Sequence, residues 1–378
     1  MRIAHVGNFK TDSANGVDRT VHGLAVNTAR LGVDVEVWHL SRKSTVIGKR
    51  IESGVTVYDL PRPGDLRALV SGLGPEIEAF INNRSSEVDL VHFHSVFVPE
   101  NVLLSRFGFP FVVTPNGGYR AGSRRRAWLK AIWLTLFERP YLNSAAAIHT
   151  VFRSEVEDIV RVGCRRPCAL VPNAVPDEFW LRQVSPAARG DIILFVGRLA
   201  IDHKGLDLLV NGYAKALARV DLPDLILAGP DFRSGTDWLL RECRRLRIAD
   251  RVQFPGLVSG EAKMELFESA CLFAHPSRWE GLPFALIEAL AMERPVLVTP
   301  GTNVAEYVAE AGAGWVCEPS SDAVADSLVE FAGCGEELQV RAIAARGLAR
   351  SRFAWESAAE EMREVYDSIL DGRIGGHK

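Results

Sequence analysis

Short apolar runs alternate with helical patterns along the first part of the chain, stop at a Pro-containing stretch, and then begin again. Ile3–Val6, Val35–Leu40, Val55–Leu60, Val88–Phe93, Phe111–Thr114, Ala146–Val151 and Ala169–Val171 read as strands, with helices at about 18–31, 75–82 and from Ser154 to Gly163. Strands that are apolar throughout belong to a parallel sheet covered on both faces, which is the doubly wound α/β arrangement. The segment 173–189, with Pro176 and Pro186, reads as a linker. Strands Ile192–Val196, Asp224–Ala228, Val252–Phe254, Cys271–Ala274 and Val296–Thr299 then alternate with helices at about 205–219, 238–246 and 261–269. A last helix, about 354–370, carries Trp355, Ala358, Ala359, Met362, Val365, Tyr366 and Ile369 on one face. Two α/β domains with a cleft between them are expected.

A length of 378 residues accommodates two such cores. With 47% apolar and 24% charged residues, the composition is that of a globular protein and excludes disordered and fibrous classes. No apolar run approaches the ~18–20 residues of a membrane span, and Met1–Gly7 reads as a strand entering a turn, too short for a signal peptide. The six cysteines are scattered, and Cys164 and Cys168 lack the second pair of a zinc site, so reduced thiols in a cytoplasmic protein are expected. The chain up to Glu178 is mildly basic and the remainder mildly acidic, which suggests different partners for the two halves.

The stretch from His275 to Glu288 is the densest in chemistry. A buried strand enters it, a polar loop follows, and Pro283 stands at the first position of a helix. Glu280 lies in the loop and Glu288 in the second turn of the helix, flanking the amides of a helix N-terminus that suit an anion. Carboxylates suit sugar hydroxyls and the helix end suits phosphate, so together they suggest a nucleotide-sugar. Arg198, just off a strand, and Lys204, just before a helix, match the charge of a diphosphate, or else take part in structural ion pairs. Pro255–Val258 closes a strand at the same edge, and Val258 can offer backbone and apolar surface to a nucleobase.

The first half is less explicit. The loop Gly7–Gly16 lacks the Gly-x-Gly-x-x-Gly spacing, yet Gly16 before a helix can bring backbone to a phosphate, or simply close a strand-to-helix loop. His92 and His94 lie on one side at the end of a strand, where open α/β sheets bind ligands. A metal needs a third ligand and none stands nearby, so His94 is expected to reach the cleft without one. Asn116 and Arg120 sit in a Gly-Gly loop that suits a polar or anionic ligand or makes a plain turn. The Arg124–Arg126 cluster leads into an apolar helix, 127–139, that either lies on an anionic membrane surface or packs in the core. The arginines are not spread along a stripe, so no nucleic-acid partner is expected.

Arg198 with Lys204-Gly205, and Glu280 with Glu288 seven residues on, resemble the donor site of the retaining family-4 glycosyltransferases. The order Gly-Arg, Lys-Gly, strand-Gly, Pro-Ser, Glu-Gly-x-Pro, Glu-Ala runs over about residues 192–318, and the weaker Val171-Pro172-Asn173 and Phe353-Ala354-Trp355-Glu356 extend it over nearly the whole chain. The resemblance implies the GT-B fold, two facing Rossmann-like domains with a deep interdomain cleft. Residues 1–175 would form the acceptor-side domain and 190–353 the donor domain, with the C-terminal helix, 354–372, crossing back to the first. It implies transfer of a sugar from a nucleotide diphosphate-sugar with retention, and no cofactor or essential metal. Arg198 and Lys204 would hold the diphosphate and Glu288 the ribose. Glu280 would face the donor sugar, with Gly281, Leu282, Pro283 and Phe284 presenting backbone. Gly16 would approach the phosphates from the acceptor side. Where many relatives carry a histidine, this chain has Asn116, which leaves His94 as the candidate active-site imidazole; the paired glycines common near Gly16 are also missing. The expected function is a cytoplasmic glycosyltransferase, either free or peripheral to the membrane, acting on a glycan or lipid-linked acceptor of bacterial-surface type. A nucleotide-sugar epimerase on the same fold and a catalytically silent nucleotide-sugar binding protein are the alternatives.

Overall fold

The computed structural model describes residues 1–10, 15–42, 44–62, 72–119, 127–182, 184, 186–187 and 190–374. The chain divides into two compact units, one running from Met1 to Ala174 and resuming at Trp355, the other spanning Val175–Ala354. Among the described residues the first unit holds strands β1 (Arg2–Val6), β2 (Asp34–Ser41), β3 (Gly48–Glu52), β4 (Val55–Pro61), β5 (Leu90–His94), β6 (Phe111–Thr114), β7 (Ala147–Thr150) and β8 (Cys168–Leu170). Their order is β3-β4-β2-β1-β5-β6-β7-β8, parallel except for β3, which pairs antiparallel with β4 at the edge. Ala4, Val6, Val91 and Phe93 enter one core layer, while Ile3 and Leu90 enter the other, as strict alternation requires.

The C-terminal helix Trp355–Leu370 closes that second layer with Trp355, Ala358, Met362, Tyr366 and Ile369. It packs against helix Gly16–Arg30, where a Cβ on Gly23 would stand 2.2 Å from the Trp355 ring. Only a residue without a side chain lets that indole lie so close.

The second unit holds β9 (Ile192–Val196), β10 (Asp224–Ala228), β11 (Val252–Gly256), β12 (Ala270–His275), β13 (Val296–Val298) and β14 (Gly314–Val316). They form one parallel sheet in the order β11-β10-β9-β12-β13-β14. The connections reverse direction between β9 and β12, and a crevice opens at the carboxyl ends of two such strands. The first unit reverses in the same way between β1 and β5.

Two segments differ from their sequence-based expectation. The stretch expected as a linker includes helix Asp177–Leu181, because Phe179 buries its ring against Phe267. Within the same stretch Asn173 is buried, accepting from Thr20 Oγ1 at 2.9 Å. The sequence pattern also missed β3, a half-exposed edge strand whose Ile51 faces solvent, so no continuous apolar run marks it.

Candidate active site

Every sequence-predicted donor residue falls in the second unit except Gly16, and they gather on the segments that follow β9, β11 and β12, including the helix Phe284–Ala291. Arg198 follows β9, exposed, with its guanidinium 5.3 Å from the Phe232 ring centroid. Lys204 ends the one-turn helix Ile201–Lys204 and is 9% exposed. Gly205 then turns with φ of 62°, and a Cβ there would lie 2.0 Å from the Pro276 carbonyl oxygen, so only glycine lets this turn pass under the β12 loop.

That close passage delivers Lys204 to Glu280: Nζ donates to Oε1 at 2.5 Å. Ser277 Oγ donates to the same oxygen at 2.8 Å and His275 Nε2 lies 3.1 Å from it. His203 Nε2 is 3.7 Å from Oε2, and its ring stacks on Trp279. Burial pushes the Glu280 carboxyl up, but the His275 hydrogen bond and the Lys204 charge outweigh it and hold the group well below the usual carboxylate range. Burial lowers the His275 and His203 imidazoles, so both are neutral near pH 7.

The loop itself is pinned from the turn after β13. Glu280 N donates to the Gly301 carbonyl at 2.7 Å, and Asn303 Nδ2 donates to the Glu280 and Gly281 carbonyls at 2.7 and 3.0 Å. Pro283 stands one residue earlier than the pattern placed it, as the N-cap of helix Phe284–Ala291. Leu282, Phe284 and Val258 are half-buried against the core of this unit. Glu288, fully buried in the second turn, accepts from Lys263 Nζ at 2.5 Å. The structure therefore joins Lys204 to Glu280 directly and gives Glu288 its own ammonium. His275, Ser277, His203, Asn303 and Lys263 complete the site. The first three stand beside residues the sequence already marks, whereas nothing local points to Lys263 or Asn303.

In the first unit His94 is buried at the end of β5 and lines a shallow hollow, with Gly7, Asn8, Asn15, Asp18 and Asn101 among its neighbours. Gly16 opens helix Gly16–Arg30 beside this hollow, behind the N-cap Asn15, whose side chain accepts from Val17 N at 3.1 Å. Asn116 adopts a left-handed conformation, φ 52°, which asparagine tolerates better than most residues. Its turn is tied down by Gly117 N, which donates to Glu155 at 2.5 Å, and by Tyr119, which donates to Glu138 at 2.9 Å. Arg120 and the Arg124–Arg126 cluster lie outside the described residues.

The expectation that nothing stands near His92 and His94 to complete a ligand set is corrected. Residue 5 of β1 pairs in register with residue 92, so His5, His92 and His94 bring ligand atoms within 4.8 Å of one another. Long-range strand pairing supplied what local sequence lacked. The hydrogen bonds nevertheless leave this trio short of a metal set. His149 Nε2 must donate to the Val171 carbonyl at 2.8 Å, so its Nδ1 accepts from Thr114 Oγ1. Thr114 then accepts from His92 Nε2, and His92 Nδ1 accepts from Tyr366 OH, each at 2.6 Å. The Val171 carbonyl fixes every tautomer in the chain, and both His92 nitrogens are occupied. Tyr366→Phe would leave His92 Nδ1 buried and unsatisfied, so we expect it to lower stability by about 1–3 kcal/mol in urea melts; an unchanged midpoint would refute this.

Two sequence families match the chain: one described as glycosyl transferase 4-like domain over residues 15–174, and one described as glycosyl transferases group 1 over residues 177–347. The chain is 29% identical over 184 residues to an uncharacterized glycosyltransferase of Methanocaldococcus jannaschii, a match spanning 48% of this chain and 45% of that protein. It is 23% identical to the GDP-mannose:cellobiosyl-diphosphopolyprenol alpha-mannosyltransferase of Xanthomonas oryzae pv. oryzae, over 98% of this chain and 97% of that one. Among solved structures, HepE of Anabaena in complex with UDP superposes with a TM-score of 0.73 at 17% identity, covering 97% of this chain and 100% of the other.

Proposed function

This chain belongs to the group 1 glycosyl transferases, paired with a glycosyl transferase 4-like domain, and from that premise we propose that it moves a sugar, with retention, from a nucleotide diphosphate-sugar to a glycan or lipid-linked acceptor. It is a glycosyltransferase of the GT-B fold. The observation that carries the finer reading is the Lys204–Glu280 pair at the switch point between β9 and β12. An ammonium for phosphate oxygens and a carboxylate for sugar hydroxyls sit on one spot, with Arg198 off the neighbouring strand end. Charge that builds on the departing diphosphate would be met by Lys204, Arg198 and the N-terminus of helix Phe284–Ala291. Glu288 would hold the ribose, and Gly281, Leu282, Pro283, Phe284 and Val258 would line the rest of the donor.

Glu280 is poorly suited to attack the sugar itself. One of its oxygens takes three donors, and a carboxylate held this far below its usual range is a weak base and nucleophile. That favours front-face substitution, in which the bond to the leaving diphosphate breaks as the acceptor oxygen bonds on the same side and its proton passes to the departing phosphate. Retention follows without a protein nucleophile or metal. HepE, solved with UDP, and a relative named for GDP-mannose and a diphosphopolyprenol acceptor support a nucleotide donor and a lipid-linked acceptor. His94 and Asn116, both in the first unit, are the candidates for contacting that acceptor. Thermal-shift screening against UDP-, GDP- and ADP-sugars, followed by NMR of the product's anomeric proton, tests this; no stabilisation by any of them, or an inverted product, would sink it.

Peripheral membrane contact has its own observation. No described helix is long and apolar enough to cross a membrane. The helical stretch from Ala127 to Ser144 turns Trp133, Leu134 and Phe137 toward the core, but leaves Trp128, Ile132 and Leu136 49–66% exposed, four residues apart along one stripe. With the arginine cluster preceding it, this stripe suits an anionic lipid surface. We expect the chain to sediment with phosphatidylglycerol vesicles and the triple serine variant at those three positions to bind roughly tenfold or more weakly. Equal binding would count against it.

A further inference from the structure

We propose that His275 is a positioning residue that keeps the Glu280 carboxylate charged and aimed while Lys204 turns to the donor diphosphate. The proposal rests on the donor-site assignment above. Lys204 Nζ is engaged on Glu280 Oε1 at 2.5 Å. To serve a phosphate it must loosen that bond, which leaves a carboxylate only 8% exposed without its ammonium. A buried carboxylate stripped of donors either takes up a proton or follows the cation.

Ser277 and His275 still donate to Oε1 when Lys204 departs. Ser277, fully buried, lies in the same loop. His275 is the last residue of β12, fixed by pairing with β13, and its imidazole is stacked between Phe195, 5.3 Å away at 13°, and Phe273, 5.8 Å away at 12°. The two rings hold the imidazole plane, so Nε2 keeps its direction toward Oε1 whatever Lys204 does. The tautomer follows from the surroundings. His275 Nδ1 is buried with no hydrogen-bond partner; a proton there would be an orphaned donor, so the ring is neutral and carries its single N–H on Nε2. It donates a hydrogen bond without adding a charge that would compete with Lys204 for the phosphate.

The test compares the full-length wild type with His275→Leu, His275→Gln and Ser277→Ala. Release of nucleoside diphosphate is followed against pH with UDP-glucose and GDP-mannose as probes, and the Glu280 carboxyl is titrated by carbon-13 NMR in the unliganded protein. His275→Leu is expected to lower donor kcat/KM by ~10²-fold, the scale for a misplaced active-site group, and to move both the acid limb of the rate profile and the carboxyl titration upward in pH. His275→Gln, which keeps an N–H, should recover most of the loss, and Ser277→Ala should shift the titration in the same direction. A carboxyl that titrates in His275→Leu as in the wild type overturns the proposal, as does a glutamine variant no better than leucine. Should His275→Leu fail to fold, His275→Phe, which keeps the ring stacking without an N–H, takes its place, and an unmoved carboxyl titration in that variant overturns the proposal. A wild type whose carboxyl behaves as expected but which binds no nucleotide at all sinks the donor assignment, and with it the role during transfer.

Discussion

Lys204→Ala is expected to lower kcat by ~10²-fold while raising the donor KM much less, because the ammonium meets charge that grows on the diphosphate as the glycosidic bond breaks. The geometry makes the effect specific. Lys204 reaches Glu280 only because Gly205 turns beneath Pro276, and no flexible surface lysine can take its place. Lys204→Arg should not restore the rate, since a planar guanidinium does not fit a point-charge position that is nine-tenths buried. The loss should not come from unfolding. Glu280 keeps Ser277 and His275 as donors after the ammonium is gone, so the destabilisation should stay below the ~3–5 kcal/mol typical of breaking a buried pair with no other support. Turnover near the wild-type rate in a folded variant would refute the role; a thermal midpoint measured alongside separates the two causes.

How much of this was legible in the sequence follows from where the contacts come from. Strands such as β1, β5, β9 and β12 are buried on both faces, so each is built mainly of apolar residues and announces itself. The edge strand β3 has one wet face and no such run, and helix Asp177–Leu181 depends on Phe179 finding Phe267, far along the chain. The candidate site divides the same way. Glu280, Glu288, Arg198 and Lys204 stand at fixed spacings beside strand ends and helix starts, which sequence displays. That Lys204 and Glu280 are each other's partner, and that Lys263 answers Glu288, depends on β9 lying next to β12 and on the helix Gly260–Ser269 packing nearby. His5 illustrates the limit most sharply. It is an unremarkable residue of the first strand until register places it beside His92, 87 residues on.

Glu288→Gln is expected to weaken binding of the free nucleoside diphosphate by about ten- to a hundredfold, the range for losing one hydrogen bond to a charged group. Two roles for this carboxylate compete. It is fully buried and paired with Lys263 at 2.5 Å, and the Lys263 ammonium also lies 5.6 and 5.8 Å from the Phe179 and Phe267 ring centroids. A purely structural counter-ion in that setting would show its loss as lower stability alone. A ribose ligand would show it as lost affinity for molecules that carry the sugar. Inorganic pyrophosphate separates them, because it retains the phosphates and lacks the ribose. The ribose role requires Glu288→Gln to bind pyrophosphate as the wild type does while binding the nucleoside diphosphate more weakly, both measured by calorimetry. Equal weakening for both ligands would mean that the substitution disturbs the phosphate seat through helix Phe284–Ala291, and unchanged affinity for both would leave Glu288 as the counter-ion of Lys263. The glutamine is nearly isosteric, so helix Phe284–Ala291 and the β12 loop it follows should keep their positions, and any drop in thermal midpoint then reports the lost ion pair rather than a collapsed site.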